Sequence, residues 1–140
     1  MRRSSIAILL PLIVLFAGLH TSGASAAPKV QGPKQVKPGK KVKLRASGFP
    51  KRSRVSIILQ PTANRDGNGF GIALKKRFKI KRTGKVRITF RMPKRYLACA
   101  GAANCSPKRW QRRSKVDINV CSYPKPGQVT VCARKVARIR

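Results

Sequence analysis

Few residues in this chain could carry acid–base, nucleophilic or metal chemistry. The acids are Asp66 and Asp117 alone, and His20 is the single histidine. Two carboxylates can hydrolyse a glycoside, but Asp117 alternates with Val116 and Ile118, which predicts a solvent-facing position on a strand. Asp66 lies in an Asp-Gly-Asn-Gly turn, where Asp commonly bonds the local backbone; the turn lacks the further acids of a calcium loop. We therefore expect a protein that is not an enzyme and that holds no cofactor or metal ion.

Lys and Arg are the main remaining side chains that could carry a function. The 140 residues contain 34 Lys and Arg against 2 acids, a formal net charge of +32. A merely solvated face usually mixes signs, and a uniform field costs self-repulsion that bound anions would offset. We therefore predict contact with polyanions; a compositional bias without a dedicated ligand is the alternative. The candidate contact residues are Lys75, Lys76, Arg77, Lys79, Lys81 and Arg82, then Lys108, Arg109, Trp110, Arg112 and Arg113, with a further basic cluster at Arg134, Lys135, Arg138 and Arg140.

Basic residues lie on both sides of Trp110 in the sequence. An exposed Trp110 ring could stack on a nucleobase or a sugar, whereas a buried ring could cap one end of the fold. The sequence leaves both interpretations open. Phe78 and Phe90 occupy apolar positions of alternating segments and are predicted to lie in the core. No motif of sequence-specific nucleic-acid recognition is present.

Residues 1–26 are typical of a secretory signal peptide. Arg2 and Arg3 precede the apolar run 6–19, and Ala24-Ser25-Ala26 predicts cleavage before Ala27. An uncleaved anchor is the alternative, but this run, at ~1.5 Å per residue, reaches about 21 Å, short of a ~30 Å hydrocarbon core. We expect a secreted domain over residues 27–140 that has no transmembrane segment after cleavage.

The four cysteines lie in the C-terminal third of this exported chain, where disulfides are the usual state. Cys121 and Cys132 flank the Pro124–Gly127 turn at equal distances, and Cys99 and Cys105 enclose a short loop of small residues. These spacings favour the pairs Cys99–Cys105 and Cys121–Cys132. A zinc site would need closer spacing or histidine, and a catalytic cysteine would need a base.

Lys and Arg alternate with apolar residues along much of the chain, as in 41–45, 78–81 and 86–91. Period-two alternation predicts strands with one apolar and one basic face. No stretch shows helical periodicity, and Gly and Pro separate the segments, which predicts an all-β antiparallel sandwich. The long connection 92–114 does not fit this pattern. The seven predicted strands are roughly 29–36, 41–47, 54–60, 72–80, 85–91, 115–121 and 128–137.

The apolar positions of these strands define the expected core. It comprises Val42, Leu44, Val55, Ile57, Leu59, Leu74, Phe78, Ile80, Val86, Ile88, Phe90, Val116, Ile118, Val120, Val129 and Val131.

One stretch of the chain resembles secreted bacterial immunoglobulin-like domains. Residues 38–50 combine a Pro-Gly turn, an alternating strand and an Ala-Ser-Gly-Phe bend, and 55–59 supply the next strand. With 84–90, the Cys99–Cys105 loop and 116–120, the layout is similar to the neocarzinostatin-type sandwich. That resemblance implies an immunoglobulin-like fold and, in that family, a cleft for a small molecule. The family's first cysteine pair has no counterpart at Leu59-Gln60-Pro61, and its carriers are acidic, so no ligand residues are transferred.

Together these features predict a secreted, disulfide-stapled, immunoglobulin-like sandwich that binds anionic polymers through Lys and Arg. Wall polyphosphate, acidic glycan and extracellular DNA are the expected partners, and charge could retain the protein on the cell wall. A small-molecule carrier of the neocarzinostatin type and a structural extracellular module without a specific ligand are the alternatives.

Overall fold

In a computed structural model, which describes residues 26–62, 71–100, 104–123 and 129–140, the regular secondary structure is entirely β-strand. The predicted signal peptide therefore lies, apart from Ala26, outside the described residues, as do Asp66 and the Pro124–Gly127 turn. The strands of the described part are β1 (Lys29–Gln31), β2 (Gln35–Val36), β3 (Lys41–Ser47), β4 (Arg54–Pro61), β5 (Ile72–Ala73), β6 (Phe78–Lys79), β7 (Val86–Arg91), β8 (Arg95–Ala100), β9 (Asn104–Arg109), β10 (Lys115–Tyr123) and β11 (Cys132–Ile139).

Three strands form the front sheet, in the order β1-β3-β7, and all are antiparallel. β7 alternates strictly between buried and exposed residues, and β3 does the same from Lys41 to Ala46. Leu44 lies opposite Ile88 in the register, and both point to the core. The period-two pattern of the sequence thus sorts the apolar residues to one side of this sheet and the bases to the other.

The back sheet has the order β2-β11-β10-β4-β5, with β6 also paired to β4. β4 and β10 form its longest pairing, and each contributes inward side chains that are fully buried, such as Ile57 and Ile118. The pairing of β2 with β11 is parallel, so the sandwich is not purely antiparallel as the sequence predicted. The chain leaves β2 through Pro38-Gly39, where Gly39 has a φ of 80° that favours glycine, and enters the front sheet.

The core lies between the two sheets and confirms most of the expected residues. Leu74 and Phe78 are only partly buried and pack against its edge. Val129 is a wrong prediction, because its side chain is 81% exposed. The last strand begins at Cys132 rather than near 128, so Val129 precedes the sheet and has no inward face; Val131 is partly buried.

Two predicted strands are interrupted. The segment 29–36 is divided into β1 and β2 at Gly32-Pro33, where Pro33 has no N–H to donate to a ladder. In the segment 72–80, β5 and β6 both pair with β4, but residues 56–57 of β4 lie opposite the four residues 74–77. The extra residues form a bulge at the sheet edge. The chain then turns at Gly84, whose φ is 71°, and enters β7 as predicted.

The connection 92–114 contains a hairpin that the sequence did not predict. β8 and β9 pair in register from Arg95 opposite Arg109 to Ala100 opposite Asn104. Every residue of β9 is exposed, and Pro107 lies within it, so the strand has no apolar alternation to predict it. Cys99 and Cys105 are directly opposite and disulfide-bonded, and Cys121 is bonded to Cys132 across β10 and β11. Both predicted disulfides are therefore confirmed.

The packing between the sheets predicts a sharp contrast between two valines. Val120→Ala removes two methyl groups from a fully buried side chain, so we expect a loss of roughly 2 kcal/mol of unfolding free energy, including the cavity left behind. Val129→Ala makes the same chemical change at an exposed position and should cost under about 0.5 kcal/mol. Urea denaturation of both variants measures the difference. Equal losses would mean that the β10 face is not the core.

Candidate functional site

The first predicted basic cluster lies along the edge of the back sheet. Lys75, Lys76 and Arg77 occupy the bulge between β5 and β6, and all three are exposed. The Arg77 guanidinium carbon lies 4.6 Å from the ring centroid of Tyr123, and the Lys76 ammonium lies 5.3 Å from that of Phe78. These cation–π contacts hold two of the bases against the sheet.

The same cluster continues into the turn before β7. Lys79 is exposed on β6, and Lys81 and Arg82 are exposed in the turn. Lys79, Lys81 and Arg82 line a shallow depression of about 570 Å³ together with Arg52. Of these four residues, only Lys81 also lines a groove on the outer side of the front sheet. The turn therefore connects the predicted cluster to a second basic surface.

The second predicted cluster belongs to the hairpin and the turn that follows it. Lys108 and Arg109 are exposed on β9, and Arg112 and Arg113 are exposed in the turn before β10. Arg113 has a φ of 68°, which is uncommon for a residue with a side chain, and its N–H donates to the carbonyl of Ile139 at 2.8 Å. These bases therefore lie on a different element from the first cluster.

Trp110 is buried, with 7% of its surface exposed, and belongs to the core cluster. Its ring packs on Tyr96 of β8 at a centroid separation of 4.6 Å and an interplanar angle of 38°. Of the two interpretations left open by the sequence, the buried one holds. Trp110 fixes the hairpin to the sandwich, and its ring is not accessible for stacking on a base or sugar.

A basic surface that the predicted site residues omit covers the outer side of the front sheet. The inward-facing residues of β1, β3 and β7 pack in the core, so the alternate residues point outward, and they are exposed apart from Ser47, which is partly so. We call this surface the cationic face. It consists of Lys29, Lys41, Lys43, Arg45, Arg87 and Arg91, with Gln31, Ser47 and Thr89 between them.

The register of the front sheet places like charges side by side. Arg45 lies directly opposite Arg87, and Lys41 lies directly opposite Arg91. Neighbouring strands are only ~4.8 Å apart, and like charges in opposite positions destabilise a sheet. No carboxylate belongs to this face. The bases therefore lack a counter-charge within their own surface.

Two open grooves follow the cationic face. One, of about 660 Å³, is lined by Arg45 and Arg87 together with Lys81, Lys85 and Gln31 among others. The other, of about 480 Å³, passes over Lys43, Arg45, Arg87 and Thr89. Grooves lined by bases focus a positive potential and concentrate anions near them.

The one acid in the described residues lies on the other sheet. Asp117 points to the outer side of the back sheet, as its alternation predicted, but it is only 8% exposed, so the expected solvent position is wrong. Thr62 donates a hydrogen bond to Oδ1 at 2.6 Å, and Arg134 Nη2 lies 2.8 Å from Oδ2. Arg134 on β11 and Thr62 just after β4 are diagonal neighbours of Asp117, and they cover the carboxylate from both sides.

A second cross-strand contact lies beside this ion pair on the outer side of the back sheet. Asn119 Nδ2 donates to Gln60 Oε1 at 3.2 Å across β10 and β4. Bases are exposed on the outer side of both sheets, and on the back sheet Lys115 lies opposite Arg138 and Arg54 opposite Lys79. The back sheet, however, carries Asp117 among its bases, whereas the front sheet carries no acid. The sequence predicted a basic side for the strands 41–45 and 86–91, but the candidate site residues came from contiguous basic runs and so did not include them. The register of β3 with β7 brings these bases together.

The chain matches no protein-family model, and no curated protein is significantly similar to it in sequence. Among solved structures it is similar to macromomycin, a protein of the neocarzinostatin type, with 14% identity over 81% of this chain and 100% of macromomycin and a TM-score of 0.52. It also matches a superoxide reductase (neelaredoxin) from Ignicoccus hospitalis, with 14% identity over 88% of this chain and 89% of that protein and a TM-score of 0.48. At this identity the likeness to macromomycin shows the fold alone, a β-sandwich. Within the described ranges no helix is long and apolar enough to span a bilayer.

The burial of Trp110 predicts its fluorescence. It is the only tryptophan of the chain, so we expect emission at shorter wavelength than that of free indole and weak quenching by acrylamide, a neutral quencher that ignores the charge of the protein. Unfolding in guanidinium should shift the emission to longer wavelength and raise the quenching constant severalfold. Strong quenching in the native state would contradict the buried position.

The ion pair of Asp117 predicts opposite effects of two charge-removing substitutions. Arg134→Gln takes the counter-charge from a covered carboxylate and should destabilise the protein by about 1 kcal/mol, a modest cost because the Arg134 side chain is 40% exposed. Arg138→Gln removes an exposed base of the same strand and should be neutral or slightly stabilising, because it lowers self-repulsion. Denaturation at low salt compares them. A stabilising Arg134→Gln would rule out the structural role of the pair.

Proposed function

We propose that this protein is a secreted binding module, and not an enzyme, that holds anionic polymers by electrostatic contact. The observation that carries the proposal is the cationic face, where Arg45 faces Arg87 and Lys41 faces Arg91 without a carboxylate between them. The basic bulge 75–77 and the turn at Lys81 extend the positive surface around the sheet edge.

The binding mechanism is charge neutralisation. A polyanion that contacts several bases releases its condensed counterions, and this release drives association at low salt. The interaction is selective for charge density rather than for sequence, since the bases are exposed and their long side chains adapt to the ligand. Its affinity therefore falls steeply as the ionic strength rises.

The setting we propose is extracellular. The predicted signal peptide and the two disulfides are both typical of an exported protein. Wall polyphosphate, acidic glycan and extracellular DNA are the anionic polymers of that setting, and binding to the first would retain the protein on the cell wall.

A small-molecule carrier is the alternative that the macromomycin-like fold suggests. The grooves of the front sheet argue for anions instead, because Arg45, Arg87 and Lys81 contribute to their lining and an apolar ligand would leave these charges without partners.

The proposal predicts a salt-dependent affinity that depends on the front sheet. The logarithm of the affinity for single-stranded DNA, teichoic-type polymer or acidic glycan should fall linearly with the logarithm of salt concentration. The triple variant Lys43→Gln, Arg45→Gln, Arg87→Gln should reduce the magnitude of the slope for single-stranded DNA by up to about 2, at ~0.7 for each phosphate that the variant no longer neutralises. The control Arg54→Gln, Lys115→Gln, Arg138→Gln removes the same charge from exposed back-sheet positions and should change the slope less.

Pull-down and fluorescence anisotropy at graded salt measure these slopes. Multivalent anions should also raise the melting temperature of the wild type more than chloride does at equal ionic strength, because they bind the native charge. If the protein ignores every polyanion at ~50 mM salt, the proposed function is wrong.

A further inference from the structure

The bases of the cationic face form rows whose spacing the strands fix. The rows, in order along β3, contain Lys41 with Arg91, then Lys43 with Thr89, then Arg45 with Arg87, then Ser47 with Lys29. Each row therefore holds at least one base. Alternate residues of a strand are ~6.8 Å apart, so the bases recur at that interval.

An extended phosphodiester chain with a three-carbon spacer has nearly the same repeat. A peptide residue has three backbone bonds and spans at most ~3.6 Å. A glycerol phosphate unit has six backbone bonds from one phosphorus to the next, so with similar bond lengths and angles it spans up to about 7 Å. The repeat of this polymer matches that of the rows closely enough for flexible Lys and Arg side chains to absorb the difference.

The width of the face suits a single chain. β3 is the central strand, with Arg87 and Arg91 on one side and Lys29 on the other. Guanidinium groups bind phosphate oxygens through two parallel hydrogen bonds, so the Arg45–Arg87 row is the strongest contact. The Thr89 hydroxyl adds a donor beside Lys43, whose row has no second base.

The composition of the face argues against a nucleic acid. Proteins that bind single-stranded nucleic acids stack the nucleobases on aromatic side chains. The outward residues of β1, β3 and β7 include no aromatic side chain. The core holds Phe90, and Trp110 is buried against Tyr96. A polymer with phosphates and a small neutral spacer uses every contact that this face offers.

We propose that the cationic face binds a linear poly(glycerol phosphate), extended along β3 with one phosphate on each row. This inference rests on the proposed function of polyanion binding and names its ligand and its site.

Two single substitutions test the row arrangement. Lys43→Gln removes the one base of its row, whereas Arg91→Gln leaves Lys41 as a base in its row. Both substitutions remove one exposed base from the same face. We expect Lys43→Gln to weaken the binding of a fluorescent glycerol phosphate tetramer about tenfold at low salt and to reduce the magnitude of the salt slope by about 0.7. Arg91→Gln should weaken the same tetramer less than about threefold. Equal losses of affinity in the two variants would overturn the row arrangement. If the wild type still bound the tetramer in that case, the general proposal of polyanion binding would stand.

The choice of polymer has its own test. An oligothymidylate with four phosphates shares the six-bond repeat but adds bases, and a hyaluronan oligosaccharide with four carboxylates has a different charge spacing. Both should bind the wild type more weakly than the glycerol phosphate tetramer at equal salt. Tighter binding of the oligothymidylate or the hyaluronan would overturn glycerol phosphate as the ligand, and absence of binding by all three would overturn the proposed function itself. Circular dichroism and thermal melting confirm that both variants fold.

Discussion

The separation of apolar and basic residues by β-sheet geometry is the constraint on which this fold depends. A chain of net charge +32 can bury a core only if its bases leave the interior completely, and the period-two strand does this at every second residue. Two unit charges ~5 Å apart in water repel by about 0.8 kcal/mol, whereas a fully buried side chain such as Ile88 contributes ~1.5–3 kcal/mol. The core therefore outweighs the repulsion between directly opposite bases, and the strands tolerate a surface of one sign.

The outer sides of the two sheets differ in whether they carry an acid. The back sheet places Asp117 against Arg134 and pairs Asn119 with Gln60, although Lys115 and Arg138 remain opposite each other. The front sheet has no such acid, and Arg45 and Arg87 remain opposite each other. Because the described acid is covered by Thr62 and Arg134, it cannot serve the bases of the other sheet. The two sheets thus differ in their acid and not in the opposition of their bases, and the front sheet presents six bases to an external anion without an acid among them.

The sequence predicted those parts of the fold that depend on local pattern. The strands 41–47 and 86–91 follow from alternation, and the Cys121–Cys132 pair follows from its symmetry about a turn. The hairpin of β8 and β9 was not predictable because its second strand is polar and contains Pro107. The position of Trp110 was ambiguous from the sequence, because its basic neighbours indicate a solvent-exposed segment. In the fold its ring packs on Tyr96. Alternation predicted the basic side of each strand, but the pairing of β3 with β7 that joins these sides into the cationic face is a tertiary property.

Binding and stability are coupled at this face by the same charges. The repulsion between Arg45 and Arg87 is present in the free native state and much weaker in the unfolded chain, where the two residues are far apart. A phosphate placed between them removes this cost as well as adding its own attraction, so a ligand that favours the native state raises the free energy of unfolding by mass action. The six bases of the face therefore act as one unit: the strands impose the spacing, the core offsets the cost of their proximity, and an anion of matching spacing is the group that relieves it.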